Sequence, residues 1–258
     1  MNFSSRLAHE EERTVTLDGL HHVILKVPDL AACERFMTDF GLIPAHGEST
    51  RLYLRGAGME PYCYVAELSE SPAFEALAFR VNSIEALREA ERIPGAQPMK
   101  ALDRPGGGYS VTLRDPDGLR IDLVAGIDTV APLPVRAPLT LNHGTVKTRF
   151  GARQHQPAPG PATVLRIGHA GLIVSDFRRS LAWYTETLGL IPSDILYIGD
   201  RSRQVAAFMR ADRGEEWVDH HALVIFGGQA VKFQHASFET QDFDAQQLGH
   251  RWMLTSSS

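Results

Sequence analysis

The stretch "GHAGLIVSDF" at 168–177 decides how this chain is read, because "HHVILKVPDL" at 21–30 nearly repeats it. Aligning His169 with His22 places Val174 on Val27 and Asp176 on Asp29. Each stretch is then followed by "GLIP", at 189–192 and at 41–44. Both copies change period in the same way. "LHHVILKV" and "RIGHAGLIV" are β-rich runs of strand length. Phe177, Leu181, Tyr184 and Leu188 then recur at helical spacing, as do Leu30, Cys33, Phe36 and Phe40. Ser175 or Asp176 can cap the second helix, and Gly41 and Gly189 stand where a left-handed C′ residue is wanted.

Working outward, strand-like runs follow in both copies: "RLYLRG" and "PYCYVAEL" in the first, "ILYIGD", "QVAAFMRA" and "HHALVIFG" in the second. The repeated unit is therefore β-α-β-β-β. A weaker copy starts near Phe74, with strand "FEALAFRV", helix "SIEALREAERI" and a hairpin turning at Asp115-Pro116-Asp117-Gly118. A fourth starts at "KFQHASFET", where Phe238 superposes on Phe79 and "QDFDAQQL" on "NSIEALRE". Between the pairs, 127–163 carries Pro132, Pro134, Pro138, Pro157, Pro159 and Pro161, a stiffened linker composition. The expected organisation is an extension over 1–17, a domain over 18–126, the linker, and a second domain over 164–258. The class is α+β, built of tandem βαβββ units. The last unit reads as incomplete: the equivalent of Asp122 would fall at roughly 281, so we expect a C-terminally truncated chain.

Composition fits a soluble globular protein of 258 residues, 43% hydrophobic and 22% charged. A net charge of −5 without a basic block argues against nucleic acid. The start has no signal-peptide pattern and no run approaches a membrane span, so a cytoplasmic protein with no membrane partner is expected. Cys33 and Cys63 match no metal or redox spacing and read as reduced thiols. Histidine is the compositional oddity, at 11 residues.

His169 and His235 hold matching positions on the first strands of their units. If those strands lie side by side, both imidazoles can face one cavity. Two imidazoles with a carboxylate and open positions suit non-haem Fe(II). The ordinary reading of a lone strand histidine is a satisfied polar group; the paired positions favour ligands. The first half is a control. It keeps His22, has Ala76 where the second half has His235, and has Asp122 at the carboxylate position, so metal binding there is not expected. Of His220 and His221 only one can face a cavity from a strand, where it could transfer protons.

The repeated unit, with "GHAGLIVSDF", "HHALVIF" and "KFQHASFET", resembles the vicinal oxygen chelate (glyoxalase/bleomycin-resistance/dioxygenase) superfamily. Within it, the chain most resembles the two-domain type I extradiol ring-cleavage dioxygenases, from about Leu17 to Trp252. The resemblance implies two glyoxalase-like domains with the metal in the C-terminal one. It implies His169 and His235 as metal ligands, His221 as catalytic acid–base, and Fe(II) as cofactor, with Mn(II) as the alternative. It also implies an aromatic diol and O2 as substrates and a homo-oligomer. The third ligand of the family, a late Glu, has no counterpart here; Glu239 stands at the wrong repeat position. Two other readings of the same fold are a non-catalytic small-molecule binding protein and a glyoxalase-like metal-dependent isomerase or lyase.

Overall fold

The computed structural model describes residues 15–138, 144–147 and 158–256. Part of the expected extension and linker, including Pro157, and the closing 257–258 lie outside the described residues.

The repeat is visible in the strand order. The first unit supplies β1 (Leu17–Val27), helix α1 (Leu30–Phe40), β2 (Ile43–Gly47), β3 (Arg51–Arg55) and β4 (Tyr64–Leu68). The second supplies β5 (Ala73–Val81), α2 (Ile84–Ala90), β6 (Lys100–Ala101), β7 (Tyr109–Arg114) and β8 (Arg120–Ala125). They join in one sheet of order β2-β3-β4-β1-β5-β8-β7-β6, so each half mirrors the other about the antiparallel β1–β5 pair. Within each half the first strand lies parallel to the last, β1 to β4 and β5 to β8.

The third unit repeats this order. It comprises β9 (Val164–Val174), α3 (Phe177–Leu188), β10 (Leu190–Tyr197), β11 (Gln204–Ala211) and β12 (Leu223–Gly227). The fourth contributes β13 (Lys232–Thr240) and α4 (Phe243–Ser256). The second sheet runs β10-β11-β12-β9-β13, with β9 parallel to β12 and antiparallel to β13. An α+β chain with two sheets of repeated βαβββ design is thus what the sequence leads one to expect.

The helices follow their caps. Asp29 accepts from Ala32 N at 2.9 Å and Asp176 from Arg179 N at 3.1 Å, satisfying donors that a helix start leaves open. Asp176, not Ser175, is the cap. Gly41 and Gly189 end the helices at φ of 123° and 67°, where a Cβ is disfavoured. On α3, Phe177, Tyr184 and Leu188 are buried. On α1 the expected apolar face is wrong in part. Phe36 and Phe40 are exposed and Met37 is the buried residue, so helical spacing alone misplaced the stripe. "GLIP" also does more than end a helix, since it opens β2 and β10, which sequence periodicity did not mark as strands there.

The two sheets share one continuous apolar core, running from Leu20 and Phe79 through Ile167 and Tyr184 to Leu223. Burying each such large side chain contributes about 1.5–3 kcal/mol. Polar ties reinforce the join. Ala57 N and Gly58 N donate to the carbonyls of Val164 and Leu165 at 2.8 and 2.9 Å. The β7–β8 turn reaches across as well: Asp115 accepts from the buried Tyr184 hydroxyl at 3.0 Å, and Asp117 pairs with Arg179 at 2.8 Å. The proline-bearing stretch after β8 lies against the first sheet, with Val130 N bonded to Met59 O and Leu133 N to Ala57 O.

Candidate metal centre

His169 sits on β9 and His235 on the adjacent β13. In register, His169 faces Ser237, and His235 faces Gly171 two residues further along. The first sheet has the same offsets, with His22 facing Ala78 and Ile24 facing Ala76. Ala76 therefore occupies the place of His235, and Ile24 that of Gly171. The substitution of Ile24 for Gly171 matters. A Cβ on Gly171 would lie 2.5 Å from His235 Nδ1 and Cε1, so only a glycine lets that ring lie over β9.

The pairing brings the two Nε2 atoms to 3.0 Å, with the ring planes at 88°. His235 Nδ1 contacts Gln234 Oε1, which accepts only. A proton on His235 Nδ1 would suit that acceptor and leave the Nε2 lone pair toward His169. His221 stacks obliquely on His169, with ring centroids 4.0 Å apart. All three rings are half-buried. Burial, with the His221 and His235 rings nearby, lowers the pKa of His169 to about 4. Burial also lowers His221 and His235. Neutral imidazoles with free nitrogen lone pairs are the form that binds a divalent ion.

The donor set fits two adjacent positions on such an ion. Two nitrogens about 2.1 Å from one metal, at a right angle, are about 3.0 Å apart. Among the described residues no group of three His, Cys, Asp or Glu side chains completes a metal site. Arg166 explains why the near carboxylates do not join. It donates to both Asp219 oxygens at 2.7 Å and to Glu239 at 2.6 Å, holding both acids at the rim.

His169 and His221 line a cleft of about 280 Å³ together with His220, Gly168, Ser237 and Phe238, and Arg166 with its two acids lines it as well. His220 and His221 precede β12 rather than opening it, since the strand starts at Leu223. They still diverge. His221 Nε2 is buried without a hydrogen-bond partner, whereas His220 Nε2 meets Asp194 Oδ2 at 3.0 Å. Gly171, Gln234, Arg166 and Asp194 were not singled out in the sequence. The only available signal was that Gln234 adjoins a candidate ligand and Gly171 lies two residues from another.

In the first sheet the equivalent histidine is engaged. Arg104 Nη1 donates to His22 Nε2 at 2.9 Å, so a guanidinium occupies the direction in which His169 faces His235. Asp122 is fully buried and held by Arg120 and Thr112. Both nitrogens of His22 thus have partners, Nε2 with Arg104 and Nδ1 with His21 at 2.8 Å.

Residues 166–247 match the model of the Glyoxalase/Bleomycin resistance protein/Dioxygenase superfamily. The chain is 26% identical over 228 residues to Metapyrocatechase 2 of Cupriavidus necator, covering 87% of this chain and 66% of that one. It thus spans just under two thirds of that relative's length. In structure it resembles homoprotocatechuate 2,3-dioxygenase of Brevibacterium fuscum, at a TM-score of 0.74 and 19% identity, over 95% of this chain and 71% of the other. It resembles the Mn(II)-bound glyoxalase of Novosphingobium aromaticivorans at 0.72 and 20%, over 94% and 72%. The fold is shared, and the stretch that matches the superfamily model, residues 166–247, is the one that carries the β9–β13 histidine pair.

Proposed function

We propose that the chain is a non-haem Fe(II) extradiol dioxygenase that opens the ring of a catechol-type diol beside its hydroxyls. The observation that supports it most is the 3.0 Å approach of His169 and His235 Nε2, with the His221 ring 4.0 Å from that of His169 between centroids. His169 and His235 would hold the metal. An Fe(II) ion bound there supplies a redox-active Lewis acid where diol and O2 can meet.

The protein's own part is positioning and proton transfer. His221, which lines the cleft and whose Nε2 has no hydrogen-bond partner among the described residues, would accept a proton from a diol hydroxyl and return it later. Its depressed pKa keeps it neutral at pH 7, ready to accept. Phe208 packs edge-on against His221, with ring centroids 5.0 Å apart, and limits the ring's rotation. Phe238 gives the cleft an apolar wall for an aromatic ring. Arg166 keeps Asp219 and Glu239 paired, so neither competes for the proton.

A second reading, a binding protein of the same fold, is favoured by one observation: only two ligands converge among the described residues. The test is the full chain loaded anaerobically with Fe(II), then given a panel of catechols under air. The dioxygenase reading expects O2 uptake and a yellow ring-opened product. His169→Ala and His235→Ala should lose the metal, while His221→Ala keeps it and slows turnover. Reversible catechol binding without O2 uptake, on iron-loaded protein, would establish the binding reading instead.

A further inference from the structure

We propose that Asp194 and His220 are positioning residues that hold His221 in its Nδ1–H tautomer, so that its Nε2 carries the free lone pair. The proposal deepens the function above, because it rests on His221 as the proton carrier. The hydrogen bonds carry it. An ionised Asp194 only accepts, so the 3.0 Å contact from Oδ2 to His220 Nε2 places the His220 proton on Nε2. With both rings neutral, His220 Nδ1 is then an acceptor. It lies 3.0 Å from His221 Nδ1, so that contact needs the proton on His221 Nδ1. The remaining nitrogen, His221 Nε2, is left unprotonated, buried and without a partner among the described residues.

Backbone features of β10 support the same conclusion. Its pairing with β11 is irregular between Pro192 and Asp194, and such a bulge re-aims the side chain that follows it. The residue at the bulge, Ser193, donates to His220 O at 2.5 Å and is itself held by Arg210 at 3.0 Å. The loop before β12 is thus tied to β10 through its main chain as well as through the Asp194 carboxylate. Aiming a carboxylate at a ring nitrogen to select a tautomer is a known way to prepare an imidazole for proton transfer. Here the carboxylate acts through an intervening imidazole.

The tautomer can be read directly. The full chain, ¹⁵N-labelled at histidine and free of metal, would be studied by long-range ¹H–¹⁵N correlation at about pH 8, above the ordinary imidazole range. His221 is assigned by the signals lost in His221→Gln. The expected result is an Nδ1–H pattern for His221. It should pass to a mixture with, or wholly to, Nε2–H in His220→Phe and in Asp194→Leu. Asp194→Asn, whose amide oxygen still accepts, should keep the parent pattern. An Nε2–H His221 in the parent chain overturns the proposal. So does an Nδ1–H pattern that survives both His220→Phe and Asp194→Leu. On iron-loaded chain, His220→Phe should lower kcat by about 10-fold or more with KM and iron content unchanged. If the parent shows no turnover, the dioxygenase reading fails, and the tautomer spectra still decide this proposal.

Discussion

Gly171 faces His235 across the β9–β13 pair, and a methyl group built there would lie 2.5 Å from the imidazole. Gly168, three residues earlier on the same strand, has room: its Cβ would meet only Ser237 O, at 3.6 Å. The two glycines therefore separate site geometry from strand propensity. Gly171→Ala should push the His235 ring off β9 and weaken binding of a divalent metal by an order of magnitude or more, as misplaced ligands do. Gly168→Ala should leave it unchanged. Calorimetric titration of both variants with Fe(II) or Mn(II) checks this, with thermal unfolding to confirm that each folds. Equal affinities for the two variants would remove the steric argument.

Gln234 makes a second, independent prediction. Its Oε1 contacts His235 Nδ1, and as an acceptor there it would fix both the ring's orientation and which nitrogen is free. Removing that acceptor in Gln234→Leu should cost about 10- to 100-fold in metal affinity, the usual effect of losing a hydrogen bond behind a ligand. Gln234→Glu keeps an acceptor, adds charge and should retain or tighten binding. Competition against a chelator of known affinity measures both. An unchanged affinity in Gln234→Leu would show that β13 alone positions the ring.

How far the sequence could be read follows from which forces act locally. The four units, their helix caps and the stopping glycines are local signals, and they appear in the structure at or near the expected residues. The equivalence of His235 with Ala76 is also sequence-readable, since repeat alignment gives the same pairing as the observed register. What was not legible depends on packing between elements. Phe40 reads as a core residue of α1, yet it is exposed at the helix and turns an edge toward Phe238 of the other sheet, 5.8 Å between centroids. Arg104 lies 82 residues from His22, and no spacing rule predicts that its guanidinium would meet that imidazole. Asp194 gains its role from a bulge, which shifts register without leaving a mark in composition.

The join between the sheets predicts a coupled pair. Tyr184 and Asp115 are both buried and bonded at 3.0 Å, and burial raises the pKa of each. Tyr184→Phe leaves the Asp115 oxygen without this donor and should destabilise by about 1.5–3 kcal/mol, the range for a hydrogen bond to a charged group. In Asp115→Asn, Oδ1 can still accept from Asp117 N and Leu119 N, but an NH2 replaces the oxygen that accepts from Tyr184, so a comparable loss is expected. Denaturant unfolding of the two single variants and the double variant gives the coupling. Additive losses would mean that the contact contributes nothing beyond its separate parts.

Acid sensitivity is the last prediction, and it comes from the first sheet. His21 is buried, and desolvation, with Arg80 and Arg104 nearby, lowers its pKa from 6.5 to about 3. Between those values the unfolded chain binds a proton that the folded chain refuses. Stability should therefore be unaffected by this group above pH 6.5 and fall as pH drops from 6.5 toward 3. His22 shifts in the same direction and steepens the fall. Each such proton contributes a slope of about 1.4 kcal/mol per pH unit. His21→Gln isolates one of them, because its amide oxygen can still accept from His22 Nδ1, which lies 2.8 Å from the His21 ring. Urea unfolding from about pH 7 down to about pH 5 stays above most of the carboxylate range. Over it, the variant should lose stability more slowly than the parent by about one proton's slope. Parallel curves would show that His21 already takes up its proton in the folded state, with Glu60, 3.9 Å from its Nε2, as the acceptor at hand.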